Sequence, residues 1–451
     1  MSANWTLNRL IPIKSIQSLM IRSPKEDPLL DGLRGISVMM IVFFHSIYAV
    51  FYILKDGDRL QQFISAIPSW AHILLTTEKA VDIFFVVSGY LLGMSLVREF
   101  RKFDRLNAPK FYVRRWFRIY PVFLLALFIY GLGNIDRSLD YLWVNLFFLD
   151  NFHGQMIIPV GWSLSVEMQF YLILPVLVLG LMKTGRPLTC LLLLFLAMTA
   201  LLWLICTLNP EIASTPFYDF RPGGKDPEVF LQNLYYPTQG RLGPLILGLF
   251  WGWYHVVCPD LSFQKFLDRL SPVIREMALL LCCIVIYVTM RFPVYDANSW
   301  FYQPFSMQLN LWGHVMHRHL FCMALVTMMI LLNTQGLRGP FHNSLIAMLQ
   351  HGFWRPFSQL VFPIYLFHFP AIALASVIVL GTTNMQQIEM MYLWQVCLIF
   401  LMAMFVVFFF ALLVHFKLEV PMIQKGNQLA NSWFPDHKSE KKLGVLDKPL
   451  S

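Results

Sequence analysis

The chain has 451 residues, 57% of them hydrophobic and 14% charged, with a mean hydropathy of +0.57. So little charge excludes an ordinary soluble surface at this length, and apolar runs without polar alternation exclude a membrane β-barrel. The net charge of +9 raises a nucleic-acid partner, but basic residues gathered between apolar runs follow the positive-inside rule instead, and no nucleic acid is expected.

Residues 1–30 precede the first apolar run. Their stretch Trp5 to Ile21 mixes apolar residues with Arg9 and Lys14, compatible with an amphipathic surface helix or with a disordered tail. No small-residue cleavage site follows a short apolar core, so no cleavable signal peptide is expected. Membrane spans are predicted near 35–54, 80–97, 117–133, 168–182, 188–208, 241–257, 276–291, 318–333, 359–380 and 392–416, each close to the roughly 20 residues that cross a hydrocarbon core. The fourth, seventh and eighth are short or polar enough to tilt or re-enter. The expected fold is an all-α integral membrane bundle of about ten helices, with a transmembrane domain over 31–421. A polar, lysine-rich tail, 422–451, is expected to be disordered. The seven cysteines lie in or beside apolar runs without CxxC–histidine spacing, so neither a disulfide framework nor a metal site is indicated.

The basic residues set the expected orientation. Arg9, Lys14, Arg22 and Lys25 precede span one, Arg98, Arg101, Lys102, Arg105, Lys110, Arg114 and Arg115 link spans two and three, and Lys265, Arg269 and Arg275 link spans six and seven. The C-terminal tail adds further lysines. With an even number of spans all these lie on one side, which must be cytoplasmic, together with both termini. On the opposite side the links 134–167 and 381–391 hold a single cation, Arg137. The links near 134–167, 209–240 and 292–317 are rich in Tyr, Trp, Phe, Asn and Pro. That composition suits a sugar-facing surface or an interfacial aromatic belt.

Polar residues inside the spans carry the chemistry. In LLDGLRGISVMMIVFFHSIYAV, Arg34 and His45 stand eleven residues apart on one helical face, separated by roughly 16 Å along the axis. A histidine at mid-membrane depth faces a polar interior, where it either handles protons or packs through a hydrogen bond between helices. VDIFFVVSGYLLG places Asp82 at the start of span two and Ser88 within it, with Gly89 and Gly93 at a spacing that permits close helix approach. In FYVRRWFRIYPVF, Arg114, Arg115 and Arg118 are topogenic charges or a guanidinium clamp for the phosphates of a cytosolic nucleotide-bearing donor. GWSLSVEMQFYLILP sets Ser163, Glu167 and Tyr171 on one ridge at i, i+4 and i+8, and a carboxylate entering an apolar run is costly without a partner or a task. Arg241 opens span six, where an interfacial anchor is the simpler role, and His368 lies inside span nine between Pro363 and Pro370.

Taken in order, these strings resemble the acyltransferase-3 family of membrane-bound acyltransferases, which includes O-antigen and exopolysaccharide O-acetyltransferases. The resemblance runs from Asp31 to about Pro421 and rests on Arg34-x10-His45, VDIFFVVSGYL, RRWFRIYP, WSLSVEMQFYLILP, the Arg241 segment, IYLFHFP and HFKLEVP. Gln239 stands where relatives often have histidine, and Met168 where an acidic residue is frequent. The resemblance implies a ten-helix fold, a cytosolic acyl-coenzyme A donor (usually acetyl), and an acceptor on the outer side such as lipopolysaccharide O-antigen. It also implies a bacterial inner membrane, essential roles for His45 and Arg34, and supporting roles for Arg115, Arg118 and Glu167.

The expected mechanism docks coenzyme A at Arg115 and Arg118, with Arg34 beside them, and brings the thioester to His45. The imidazole then acts as general base on a sugar hydroxyl or as a covalent acyl carrier. Ser88 is the expected oxyanion donor, and Glu167 orients the acceptor or holds a second proton. Succinyl or longer-chain transfer within the same family is one alternative. A transporter with an intramembrane His/Arg/Glu site is the other.

Overall fold

The computed structural model describes residues 13–23, 26–215, 220, 225–257, 262–292, 307–334 and 338–435. The longer helices are α1 (Pro28–Leu54), α2 (Ala80–Phe103), α3 (Ala108–Gly131), α4 (Gly161–Met182), α5 (Pro187–Leu208), α6 (Leu242–Val257), α7 (Pro272–Met290), α8 (Met307–Leu332), α9 (Val361–Leu380), α10 (Leu393–Val414) and α11 (Val420–Trp433). Among the described residues there is no strand, only an isolated bridge between Phe220 and Lys225.

Every predicted span falls on a helix, but among the described residues eight helices are long and apolar enough to cross a membrane. The two others have visible causes. Three arginines interrupt the apolar run of α3, and α6, at 16 residues, is shorter than a hydrocarbon core requires. Helices α5 and α7 leave Leu193, Leu196, Met277 and Leu281 more than half exposed, as faces that meet lipid do.

Local chemistry sets the ends. The Asp27 carboxylate caps α1 by accepting from the Leu29 amide at 2.9 Å, Pro28 opens the first turn, and Lys55 closes the helix in a left-handed conformation at φ 39°. An eleven-residue 3-10 stretch, Ser69–Lys79, feeds directly into α2. At the centre α2 lies against α6. A Cβ on Gly89 would sit 2.2 Å from the Leu245 carbonyl oxygen, and one on Gly248 would sit 2.1 Å from that of Val86. Only glycine permits this backbone contact, so the small-residue spacing of span two is structural. Helix α1 then packs against α2, α9 and α10, and this juxtaposition positions the site.

The C-terminal end departs from expectation. Residues 415–419 form a π-helical turn that runs into α11, so the tail expected to be disordered is helical to Trp433. Helix α11 packs on α3, which supplies the burial that a lone polar helix lacks. Residues 436–451 lie outside the described residues, as do residues 1–12 of the N-terminal segment, where a short helix covers Ile13–Ser18. Most of the 292–317 link is also undescribed. Six cysteines are free, and Cys258 is not among the described residues.

Candidate active site

His45 of α1 and His368 of α9 meet in the bundle, with His45 Nδ1 2.9 Å from His368 Nε2. His368 is fully buried, and its Nδ1 lies 2.7 Å from the Tyr365 carbonyl oxygen. A carbonyl can only accept, so the proton of His368 is on Nδ1. With both rings neutral, His368 Nε2 is then an acceptor, and His45 must donate to it through Nδ1. His45 Nε2 is left as an unprotonated lone pair. Pro370 contributes to the local build of α9. It has no amide hydrogen to give the Leu366 carbonyl, which instead accepts from the Tyr130 hydroxyl at 2.9 Å.

His45 lines a cavity of about 590 Å³ whose walls include Tyr48, Glu78, Trp162, Tyr235 and Tyr365. The volume falls within the range of small-molecule sites, roughly 300–1,000 Å³, and the aromatic lining offers flat apolar faces with polar tips. The Phe369 ring packs against the imidazole with centroids 4.6 Å apart.

The ridge predicted on α4 exists but divides between two environments. Ser163 is hydrogen-bonded to the Tyr365 hydroxyl and so braces the cavity wall. Four residues on, Glu167 Oε1 accepts from both Ser88 and Tyr171. Ser88, expected as an oxyanion donor near His45, is therefore directed at Glu167, and it does not line the cavity. Glu167, expected nearer the outer surface, interacts electrostatically with Arg115. The reason is that α4 starts at Gly161, which carries Glu167 almost two turns into the bundle.

Of the α3 arginines, Arg114 is exposed and donates to Asn431 Oδ1 of α11 at 2.9 Å. Arg115 is half-buried, and its Nε has no hydrogen-bond partner. Arg34 interacts with Arg118, Asp31, Glu419 and Arg355. Thus Arg34, Arg115 and Arg118 form one basic region, while Arg114 is turned to the helix alongside. Asp31 anchors this end of α1 by pairing with Arg355 at 3.2 Å and Arg22 at 2.8 Å, and by accepting from Ser358 at 2.9 Å.

A buried ion network lies beside the cavity. Asp82 pairs with Arg241 at 3.2 Å and with Arg318 at 2.5 Å, and Arg318 also reaches Glu78 at 3.1 Å. Lys79 pairs with Glu78 at 3.3 Å. Arg241 also donates to the Tyr235 carbonyl at 2.7 Å and lies over the Tyr235 ring at 3.9 Å. Arg241 is thus a buried ion partner rather than an interfacial anchor. Glu78, Lys79 and Arg318 were not singled out from sequence. For Arg318 the signal was present, a cation within HVMHRHL, but the predicted span began at that residue, whereas α8 starts eleven residues earlier.

The acyltransferase-domain family matches residues 27–412. The chain belongs to the acyltransferase-3 family. It is therefore an acyltransferase by family and a multi-pass membrane protein. It is similar to an uncharacterised protein of Haemophilus influenzae, 26% identical over 45% of this chain and 85% of that protein. It is also similar to the peptidoglycan O-acetyltransferase OatA of Listeria monocytogenes, 26% identical over 63% of this chain and 41% of that protein. The O-acetyltransferase OatA of Staphylococcus aureus is 24% identical over 62% of this chain and 42% of its own length. The chain spans less than half the length of these two curated O-acetyltransferases. No solved structure matches it at a significant level.

Proposed function

We propose that this acyltransferase moves an acetyl group from cytosolic acetyl-coenzyme A to a hydroxyl of an extracytoplasmic glycan. The observation that carries this reading is the His45–His368 pair at the cavity, because it leaves His45 Nε2 unprotonated. Such a nitrogen accepts the proton of a glycan hydroxyl as its oxygen attacks the thioester carbonyl. The tetrahedral adduct then expels the coenzyme A sulfur, and the imidazolium returns its proton to that leaving group.

On this reading Arg34, Arg115 and Arg118 bind the donor phosphates at the inner face, and the unpartnered Arg115 Nε supplies a ready donor. We read α3 and α6 as crossing too, and an even number of crossings with the basic links on one side supports both termini on the cytoplasmic side of a bacterial inner membrane. Glu167, held by Ser88 and Tyr171, keeps a carboxylate beside Arg115 and so belongs to the donor side. The cavity takes the acceptor. Peptidoglycan, named for the Listeria relative, and lipopolysaccharide O-antigen both present suitable hydroxyls.

The test is His45→Ala, scored for acetyl groups on surface glycan by mass spectrometry and for protein level in the membrane. Loss of acetylation at normal level is expected, and retained acetylation would remove His45 from the chemistry. The mass increment also separates acetyl from succinyl or longer chains, and the fraction that carries it identifies the acceptor.

A further inference from the structure

The cavity beside His45 contains a second polar group that base catalysis does not use. Glu78 lies at the end of the 3-10 stretch and lines the same cavity as His45. It is 4% exposed. Its Oε1 is occupied by Arg318 at 3.1 Å and Lys79 at 3.3 Å, which fixes the side chain. Its Oε2 is buried with no hydrogen-bond partner. A buried acceptor left unpaired is costly, and a carboxylate can only be satisfied by a donor.

We propose that Glu78 is the acceptor anchor. Its Oε2 receives a hydrogen bond from a second hydroxyl or an amide N–H of a polyhydroxylated sugar, whose reacting hydroxyl meets His45 Nε2. This rests on the acyl-transfer reading above and adds the feature by which the acceptor is chosen: two donor groups on one sugar unit, one to react and one to be held. Trp162 and Tyr235, packed against each other with ring centroids 4.9 Å apart, form part of the same cavity wall and give it an aromatic surface for the sugar to lie against. The ion pairs with Arg318 and Lys79 hold the anchor in place before substrate arrives.

The test uses the full-length protein in membranes with radiolabelled acetyl-coenzyme A. The acceptor probes are the methyl glycosides of glucose, galactose, mannose, rhamnose and N-acetylglucosamine, together with their monodeoxy forms. Glu78→Gln keeps one oxygen for Arg318 and Lys79 but puts an NH2 group where Oε2 was, so it can no longer accept. A rise in acceptor KM of roughly 10- to 100-fold with kcat changed less than threefold is expected. In the wild-type protein, where folding is not in question, removal of one particular non-reacting hydroxyl or amide should raise KM similarly, and in Glu78→Gln that removal should cost nothing further. Product formed with equal KM in both proteins, or a wild-type KM indifferent to every deoxygenation, overturns the anchor alone. No product from wild type with any probe overturns the anchor together with the reading it rests on.

Discussion

Replacing His368 by leucine takes the acceptor away from His45 Nδ1–H without adding bulk or charge to a fully buried site. His45 is then free to place its proton on Nε2, the nitrogen that must be unprotonated to act as base. A buried donor that loses its partner costs about 1–3 kcal/mol. At about 1.36 kcal/mol per factor of ten, the competent tautomer and orientation fall roughly 5- to 150-fold in population. That loss should appear in kcat and leave both KM values nearly unchanged, because neither substrate contacts His368 in this mechanism. His368→Gln is the informative companion. Its amide both donates and accepts, and it should recover activity to within about fivefold of wild type. His45→Ala sets the floor, since general-base catalysis supplies about 10²–10⁴-fold. The assay is transfer of radiolabelled acetyl groups in membranes at protein levels matched by immunoblot. Wild-type turnover in His368→Leu would refute the tautomer argument, and equal defects in the leucine and glutamine variants would show that shape rather than hydrogen bonding matters at this position.

Three further outcomes are expected. Asp82→Ala leaves Arg241 and Arg318 without their shared partner in the bundle and should destabilise the protein by about 3–5 kcal/mol, read as a lowered thermal midpoint in detergent and reduced membrane level; unchanged stability would mean the network is not held by Asp82. Gly248→Val should abolish folded protein, because its Cβ would lie 2.1 Å from the Val86 carbonyl oxygen, whereas Gly185→Val, with nothing within 4 Å, should express normally; equal expression of the two would contradict the close α2–α6 contact. Arg115→Leu should raise the KM for acetyl-coenzyme A about tenfold or more while Arg114→Leu changes it less than twofold, since Arg114 is engaged with Asn431; the opposite ranking would relocate the donor site.

The site was legible to different depths for different residues. His45 stood out because an imidazole amid Phe43 and Phe44 has no inexpensive place in lipid. Ser163, Glu167 and Tyr171 were legible as one ridge because helical period is a local property. Their separate roles were not, since Ser163 meets Tyr365 while Glu167 meets Ser88, and those partners come from other helices. Glu78 and Lys79 stayed hidden because they precede the apolar run of span two and read as an ordinary charged loop. Only the 3-10 stretch that feeds α2 draws them into the bundle.

Composition and apolar runs by themselves determined that the chain is a helical membrane protein and roughly where its long apolar helices fall, because burial in hydrocarbon demands runs of a set length and internally satisfied backbone. The order of its motifs marked the acyltransferase family. Tertiary structure decided which polar groups pair. His45 meets a histidine 323 residues away, and Asp82 meets arginines 159 and 236 residues away. No local pattern encodes those partners. They are set by the close contact of α2 with α6 and by the packing of α1 against α9, where each buried charge or imidazole takes the partner that the neighbouring helix brings within reach.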